Sequence, residues 1–202
     1  MMFDVSKIES YAKYSKNLYL LLVIDILFNG SWSLIGPFFA VFITNQIKGG
    51  DIFLVGLASL VFWIFKSLSS PIIGFICDRI HGIQDEIKFL KIGIILNSLS
   101  LLGYFFSYLP WHILFLEIIH GIGISLYSPP RLSLLIHLLK KDKGGFYFGL
   151  NESLVGILIG ISIFLGSAII KFFGFKTVFL IAFFICLSNL ILISSLKLKE
   201  SS

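Results

Sequence analysis

The stretch LVGILIGISIFLGSAIIKFFGFKTVFLIAFFICLSNLILI, residues 154–193, is interrupted by only two charged residues, Lys171 and Lys176. A helix crosses the hydrocarbon of a bilayer with about 20 apolar residues. The stretch therefore predicts two membrane-spanning helices, 147–170 and 174–196. A β-barrel is excluded because its strands are short and alternate in polarity, and only helices or closed barrels satisfy the backbone in lipid.

The rest of the chain has the same character. Of its 202 residues, 57% are hydrophobic and 13% are charged, whereas a soluble domain has about 25% charged residues. Four more apolar runs complete the prediction of an all-α membrane protein with six transmembrane helices: 18–42, 52–76, 89–108 and 112–138. This domain, 18–196, lies between a polar segment, 1–17, and a short tail, 197–202. The first span is too long for a cleaved signal peptide and follows a polar start.

The basic residues predict the orientation of these spans. Most of the 16 Lys and Arg residues lie on one side of the predicted membrane: Lys7, Lys13, Lys16, Arg79, Lys88, Lys91, Arg131, Lys140, Lys141, Lys143, Lys197 and Lys199. The other side has Lys48, Lys171 and Lys176, and Lys66 lies inside a span. Basic loops are cytoplasmic, so we expect a protein of the cell membrane with both termini in the cytoplasm. The basic residues are dispersed among turns, which gives no indication of a nucleic-acid partner.

Five ionisable residues are the candidates for membrane depth, away from the basic residues near the span ends: Asp25 in the first span, Lys66 in the second, Glu117 and His120 in the fourth, and Glu152 in the fifth. Such residues are costly in lipid and normally face a protein interior or a water-filled path. We therefore expect spans one, two, four and five to surround a polar surface, with spans three and six toward lipid. Spans three and six carry no ionisable residue in their interiors.

The spacing of the polar residues supports this expectation. Asp25, Asn29, Trp32 and Gly36 repeat on one helical face. At about 1.5 Å per residue, Asp25 and Lys66 lie about 10 and 15 Å from the cytoplasmic ends of their helices. They could form a structural ion pair, although buried pairs are weak evidence for stability. The alternative hypothesis is that at least one of Asp25, Glu117 and Glu152 exchanges protons or contacts substrate.

Other candidate residues allow a simpler interpretation. His120 alone could be a hydrogen-bonded packing residue, and Glu152 could extend to the nearby interface. Gly156 and Gly160 are four residues apart, which lets two helix backbones approach closely, so they predict packing or gating. Cys77 and Cys186 are interpreted as buried thiols, and no metal site or cofactor is expected.

A short charged turn, GFICDRIHG at 74–82, joins the second and third spans. Its glycines, Gly74 and Gly82, permit a tight path. Arg79 agrees with a cytoplasmic location. Asp78 adds nothing to that orientation signal and needs another explanation.

The chain resembles the amino-terminal half of a major facilitator superfamily transporter. After the second helix, that family has Gly, three residues, Asp, then Arg or Lys, then Gly and further basic residues. Gly74, Asp78 and Arg79 match, whereas Gly82 is one position late and residues 83–86 lack the basic character. In the family this Asp helps to latch two halves of the carrier, so the resemblance implies that Asp78 contacts a helix amino terminus or a basic group.

Further motifs carry the resemblance along the chain. EIIHGIGIS, 117–125, is similar to the Arg-x-x-Gln-Gly-x-Gly pattern of helix four: Gly121 and Gly123 match, and Glu117 occupies the Arg position, so the role of that Arg cannot be transferred. The spacing of Gly156 and Gly160 is similar to the antiporter motif of helix five, without its Pro. FGFKTVF, 173–179, resembles the segment that leads into helix six.

The resemblance implies a fold of two inverted three-helix repeats, which forms one half of a carrier that works by alternating access. The expected partners are the lipid bilayer and a small-molecule substrate, with protons as a candidate coupling ion. Because alternating access needs two halves, the chain would assemble with a second six-helix half or a second copy of itself, or be a fragment.

Other classes of protein remain alternatives. Arg131 and His137 are spaced as in lipid-phosphate phosphatases, but the other segments of that active site are missing, so an enzyme is not expected. A substrate-capturing membrane subunit of a multi-component importer is a second alternative. A non-transporting membrane scaffold is a third.

Overall fold

The computed structural model describes residues 16–79, 83–138 and 144–196, and the regular secondary structure in these ranges is entirely helical. We number its helices in chain order: α1 (Lys16–Ser33), α2 (Phe39–Gln46), α3 (Ile52–Arg79), α4 (Ile83–Phe106), α5 (Pro110–Leu138) and α6 (Gly144–Ser194). A 3-10 turn, Gly36–Phe38, separates α1 from α2.

Five helical segments of the described chain are long and apolar enough to cross a membrane: Asn17–Gln46, Ile52–Arg79, Ile83–Phe106, Pro110–Leu138 and Gly145–Ser194. An all-helical membrane protein is the architecture that the sequence predicts. The first segment combines α1 and α2, and the 3-10 turn between them contains Pro37. A proline lacks the N–H that a continuous helix requires, so the span is interrupted at this residue.

The last helix, α6, contains both of the spans that the sequence predicts at its end. Its 51 residues would measure about 75 Å as a straight helix, more than twice the hydrocarbon thickness. Gly174 interrupts it with φ 82° and ψ 172°, a conformation that glycine adopts at little cost. On one side of Gly174, Ser162 Oγ lies 3.3 Å from the Cβ position of Gly30. On the other side, Cys186 lies beside the hydroxyl of Ser31, so both arms of α6, 144–173 and 175–194, reach the same level of α1.

The helices pack around α5, which makes its most extensive contacts with α3 and α4, while α6 packs on α1 and α4. Two glycines of α5 lie close to these two neighbours. A Cβ at Gly121 would lie 2.8 Å from the carbonyl oxygen of Phe62 in α3, and one at Gly123 would lie 2.6 Å from Asn97 Nδ2 in α4. The first distance is to the backbone of α3 and the second to a side chain of α4, and both leave room for only a small residue on α5.

The two neighbours of α5 differ in exposure. α4 buries one face that includes Asn97, Ser98 and Ser100. α3 exposes large apolar side chains such as Leu68 and Ile72. Within the described chain, the side chains of the second span are therefore more exposed than those of the third. The placement of ionisable residues alone does not predict this difference.

Candidate functional site

A buried carboxylate, that of Asp25 in α1, lies at the centre of one polar cluster. Its side chain is 6% exposed, and its Oδ2 lies 2.8 Å from Nη1 of Arg131 in α5. The Tyr127 hydroxyl donates a hydrogen bond of 3.2 Å to Oδ1, and Asn151 Nδ2 of α6 donates one of 3.2 Å to Oδ2. Asn29 Nδ2, one turn further along α1, donates a 3.1 Å bond to Oδ1. We call these five residues the Asp25 cluster.

The Asp25 cluster joins α1, α5 and α6 at one level. Each carboxylate oxygen of Asp25 accepts two hydrogen bonds, and the Arg131 guanidinium neutralises its charge. The ring of Tyr127 stacks on Phe28 with centroids 3.8 Å apart, which holds its hydroxyl in position. A buried ion pair with its hydrogen bonds satisfied fixes the relative position of the helices that carry it, although it need not add to stability.

The ion pair that Asp25 and Lys66 could form is not present, and Asp25 pairs with Arg131 instead. Lys66 Nζ instead lies 4.2 Å from the ring centroid of Trp63 and 5.7 Å from that of Phe62. The reason is the packing: α3 contacts α5 extensively rather than α1, so similar depth in the membrane does not bring Lys66 to Asp25. Stacking over aromatic rings stabilises the ammonium group there.

Three members of the Asp25 cluster are not among the site residues predicted from the sequence: Tyr127, Arg131 and Asn151. Arg131 was assigned to the cytoplasmic surface because it lies near the end of a predicted span. The spacing of four residues between Tyr127 and Arg131 was the signal available, because it places both on one face of a helix. In α6 the contact is made by Asn151, whereas its predicted neighbour Glu152 is exposed.

A second site, the aromatic pocket, lies between α1, α3 and α5. Its cavity has a volume of about 160 Å³ and is lined by Trp32, Ile35, Gly36, Phe39, Ser59, Phe62, Trp63, Glu117 and His120. The interruption of the first span at Gly36–Phe38 shapes one wall. Concave, mainly apolar cavities with a few polar groups are typical of small-molecule sites.

The ionisable residues of the aromatic pocket come from α5. Glu117 is 5% exposed, and its Oε1 accepts a 3.0 Å hydrogen bond from the Tyr104 hydroxyl of α4. Its Oε2 lies 3.5 Å from Nδ1 of His120, and that nitrogen has no hydrogen-bond partner among the described residues. The His120 ring stacks on Trp32 with centroids 3.7 Å apart and an interplanar angle of 2°. Glu117 and His120, predicted as separate candidates, therefore face one cavity together.

The aromatic pocket and the Asp25 cluster use the same two helices at different levels. Trp32 lies seven positions after Asp25 on α1, a rise of about 10 Å. On α5, Glu117 precedes Tyr127 and Arg131. The described residues thus form a closed ion-pair network and, at another level, an open aromatic cavity.

The remaining predicted residues lie elsewhere. Gly156 and Gly160 are exposed on α6, and no atom of the described residues lies within 4 Å of a Cβ built on either. Gly74 is also free of close neighbours, and the Arg79 guanidinium lies over the Phe75 ring at 4.3 Å.

The contact that the resemblance implies for Asp78 stays a prediction, because its partner could belong to another molecule. Asp78 is exposed and forms no ion pair with any residue in the described ranges. Gly82, the last glycine of the turn, lies outside those ranges. Within the described residues, no group of three or more His, Cys, Asp or Glu is placed to hold a metal ion.

Comparison with known proteins identifies the family. The family model described as Major Facilitator Superfamily matches residues 21–201. The chain belongs to this superfamily. This match confirms the resemblance found in the sequence motifs. Members of the superfamily are multi-pass membrane proteins that carry out transmembrane transport and are not enzymes.

Two curated relatives are multidrug transporters by name. The chain is 30% identical over 161 residues to the Multi-drug resistance efflux pump PmrA of Streptococcus pneumoniae, an alignment that covers 78% of this chain and 39% of the pump. It is 28% identical over 143 residues to the Multidrug resistance protein MdtG of Escherichia fergusonii, covering 71% of this chain and 34% of that protein. The chain thus spans less than half the length of the curated relatives it matches.

Proposed function

We propose that the chain is one half of an alternating-access carrier that exports a small organic solute across the cell membrane. The aromatic pocket carries this proposal, because it places a carboxylate and an imidazole in a concave cavity between apolar, membrane-length helices. Ionisable groups at such depth mark substrate or ion pathways. The names of the relatives, an efflux pump and a multidrug resistance protein, support export as the direction.

A second six-helix unit would complete the carrier, because alternating access requires two halves that rock around a central site. The exposed face of α6 with Glu152, Gly156 and Gly160 offers a surface for it, since small residues let helices approach closely. Either a separate unit or a second copy of the chain could fill this role. Protons are the proposed coupling ion, with Glu117 and His120 as the groups that exchange them.

We also propose that α6 crosses the membrane twice and reverses at Gly174, which gives six crossings and two cytoplasmic termini. A membrane-impermeant maleimide tests this in intact cells that carry one introduced cysteine. Phe173→Cys, exposed beside the bend, should react from outside. Lys88→Cys and Ser195→Cys, both at exposed positions, should react only after permeabilisation. The unaltered chain is the control because Cys77 and Cys186 are buried. External labelling of Ser195→Cys would contradict the double crossing.

Transport is tested in everted membrane vesicles from cells that naturally produce the chain, with any second half present. Energised vesicles should accumulate ethidium, and Trp32→Ala should reduce the rate by about tenfold because a ring wall of the aromatic pocket is lost. Trp111→Ala is the matched control, since this tryptophan is 61% exposed and does not line the aromatic pocket. Dissipating the proton gradient should abolish accumulation. Equal rates in native vesicles and vesicles lacking the gene would contradict export of this dye class.

A further inference from the structure

A larger cavity, which we call the Lys176 cavity, lies where α2 ends, α4 ends and α6 is interrupted at Gly174. We infer that it binds the phosphodiester head group of a monoanionic phospholipid. This lipid is distinct from the solute proposed for transport, so the inference does not depend on the direction or the coupling of transport. The proposed topology places the cavity at the outer leaflet.

The shape of the Lys176 cavity follows from the bend in α6. The positive φ of Gly174 turns the chain between Phe173 and Phe175, and both rings lie on the wall. The volume of about 510 Å³ is within the range of about 300–1,000 Å³ that is typical of sites for organic ligands. None of the described residues lines both this cavity and the aromatic pocket.

The first argument for an anionic ligand is the charge of the cavity. Lys176 is the only charged residue among the described residues that line it, and no Asp or Glu of the described ranges forms an ion pair with it. Its ammonium nitrogen lies 5.6 Å from the ring centroid of Phe105 in α4. The carboxyl ends of α2 and α4 are nearby, yet Lys176 donates no hydrogen bond to a described carbonyl group. Basic pockets between membrane helices bind anionic head groups.

The second argument is the set of hydrogen-bond donors on the walls. The amide of Gln46 and the hydroxyl of Tyr108 line the cavity, and neither donates a hydrogen bond to a described residue. Ser107, by contrast, already donates its hydroxyl to the carbonyl oxygen of Gly103 at 2.9 Å. Phosphate oxygens form strong hydrogen bonds, most of all with charged donors. An ammonium, an amide and a hydroxyl are therefore available to one phosphate group.

The third argument is the position of the cavity along the membrane helices. The segments Asn17–Gln46 and Ile83–Phe106 are long enough to span a bilayer, and the cavity lies at their ends, the level of lipid head groups. The rings of Phe106 and Phe173 on its wall are 66% and 72% exposed. Such rings pack against the glycerol and acyl chains of a lipid, whereas inorganic phosphate would use only the polar donors. The combination favours an amphiphile with a negative head group.

The test uses native mass spectrometry of the purified full chain in mild detergent, which identifies bound lipids by their mass. The chain is titrated with dioctanoyl phosphatidylglycerol and, separately, with dioctanoyl phosphatidylcholine. The second lipid has the same chains and phosphate, but its choline group makes it neutral overall. We expect phosphatidylglycerol to bind about tenfold more tightly, because choline repels the Lys176 ammonium group. Equal affinities for the two lipids would overturn the inference without any variant.

A pair of lysine variants locates the binding. Lys176→Gln should lower the affinity for phosphatidylglycerol about tenfold through loss of one charged contact. Lys171→Gln is the matched control, since Lys171 is on the same helix, lies over the Phe172 ring at 5.5 Å and does not line the cavity. It should leave the affinity unchanged. Equal losses in the two variants would overturn the inference, because any basic residue near the bend would then suffice.

Inorganic phosphate distinguishes the two sources of the phosphate group. At a concentration equal to that of the lipid, it should leave phosphatidylglycerol bound, because it makes no contact with the rings. Displacement of the lipid under these conditions would overturn the assignment of a phospholipid to the Lys176 cavity.

Discussion

Arg131→Met is expected to lower the stability of the chain by about 3–5 kcal/mol, the usual cost of removing one partner from a buried ion pair. The substitution introduces a long apolar side chain and leaves the Asp25 carboxylate buried, with Tyr127, Asn151 and Asn29 as its remaining donors among the described residues. Thermal denaturation in detergent, followed by the fraction that remains monodisperse on size exclusion, measures the change.

Two further variants show whether the buried charge causes this loss. Asp25→Asn combined with Arg131→Met removes both charges and should recover most of the stability, because no unpaired charge remains. Lys88→Met breaks the ion pair between Lys88 and Asp85. The N–O distance in this pair is 2.7 Å, close to that of the Asp25 pair, but the Lys88 side chain is 71% exposed. Lys88→Met should change stability by less than about 1 kcal/mol. Equal losses for Arg131→Met and Lys88→Met would show that the Asp25 cluster does not hold the helices.

Gly166→Ala should also destabilise the chain strongly. A Cβ at Gly166 would overlap the carbonyl oxygen of Leu34, a backbone atom at the end of α1. Because a backbone cannot turn aside as a side chain can, α1 and α6 would have to separate, and overpacking of this kind costs about 1–3 kcal/mol. The same denaturation assay measures the loss.

Gly160→Ala is the matched control on the same helix. A Cβ there meets no atom within 4 Å, and alanine favours a helix over glycine by about 1 kcal/mol. We expect unchanged or slightly raised stability. Equal losses of stability in Gly166→Ala and Gly160→Ala would contradict the prediction. They would show that the contact between Gly166 and Leu34 does not determine the effect.

The sequence predicts the apolar helices well because the length and apolar composition that a membrane span requires are properties of a single segment. They do not depend on which helices pack together. The sequence also predicts the family, whose motifs are local. The interruption of α6 at Gly174 coincides with the position at which the sequence predicts a sixth span to begin.

The partners of Asp25 could not be predicted in the same way. Asp25 and Arg131 are 106 positions apart, and their contact depends on which helix packs beside which. Depth along a helix made Lys66 an equally reasonable partner, and only the packing of α3 on α5 excludes it. The pairing of Glu117 with Tyr104 likewise needs α4 and α5 side by side. Residue type and periodicity identified Glu117 and His120 as candidates, but not the cavity that they share with Trp32.

The interruption at Gly36–Phe38 has a mechanical consequence for the first span. Before the interruption, α1 is bonded to α5 and α6 through Asp25. A rotation of α1 therefore requires those helices to move with it. After the interruption, α2 begins a new helix, and no continuous series of α-helical hydrogen bonds connects it to α1. Phe39, at the start of α2, forms part of the wall of the aromatic pocket. A change in the angle between α2 and α1 would therefore move Phe39 and alter the shape of the cavity, without breaking the contacts of Asp25.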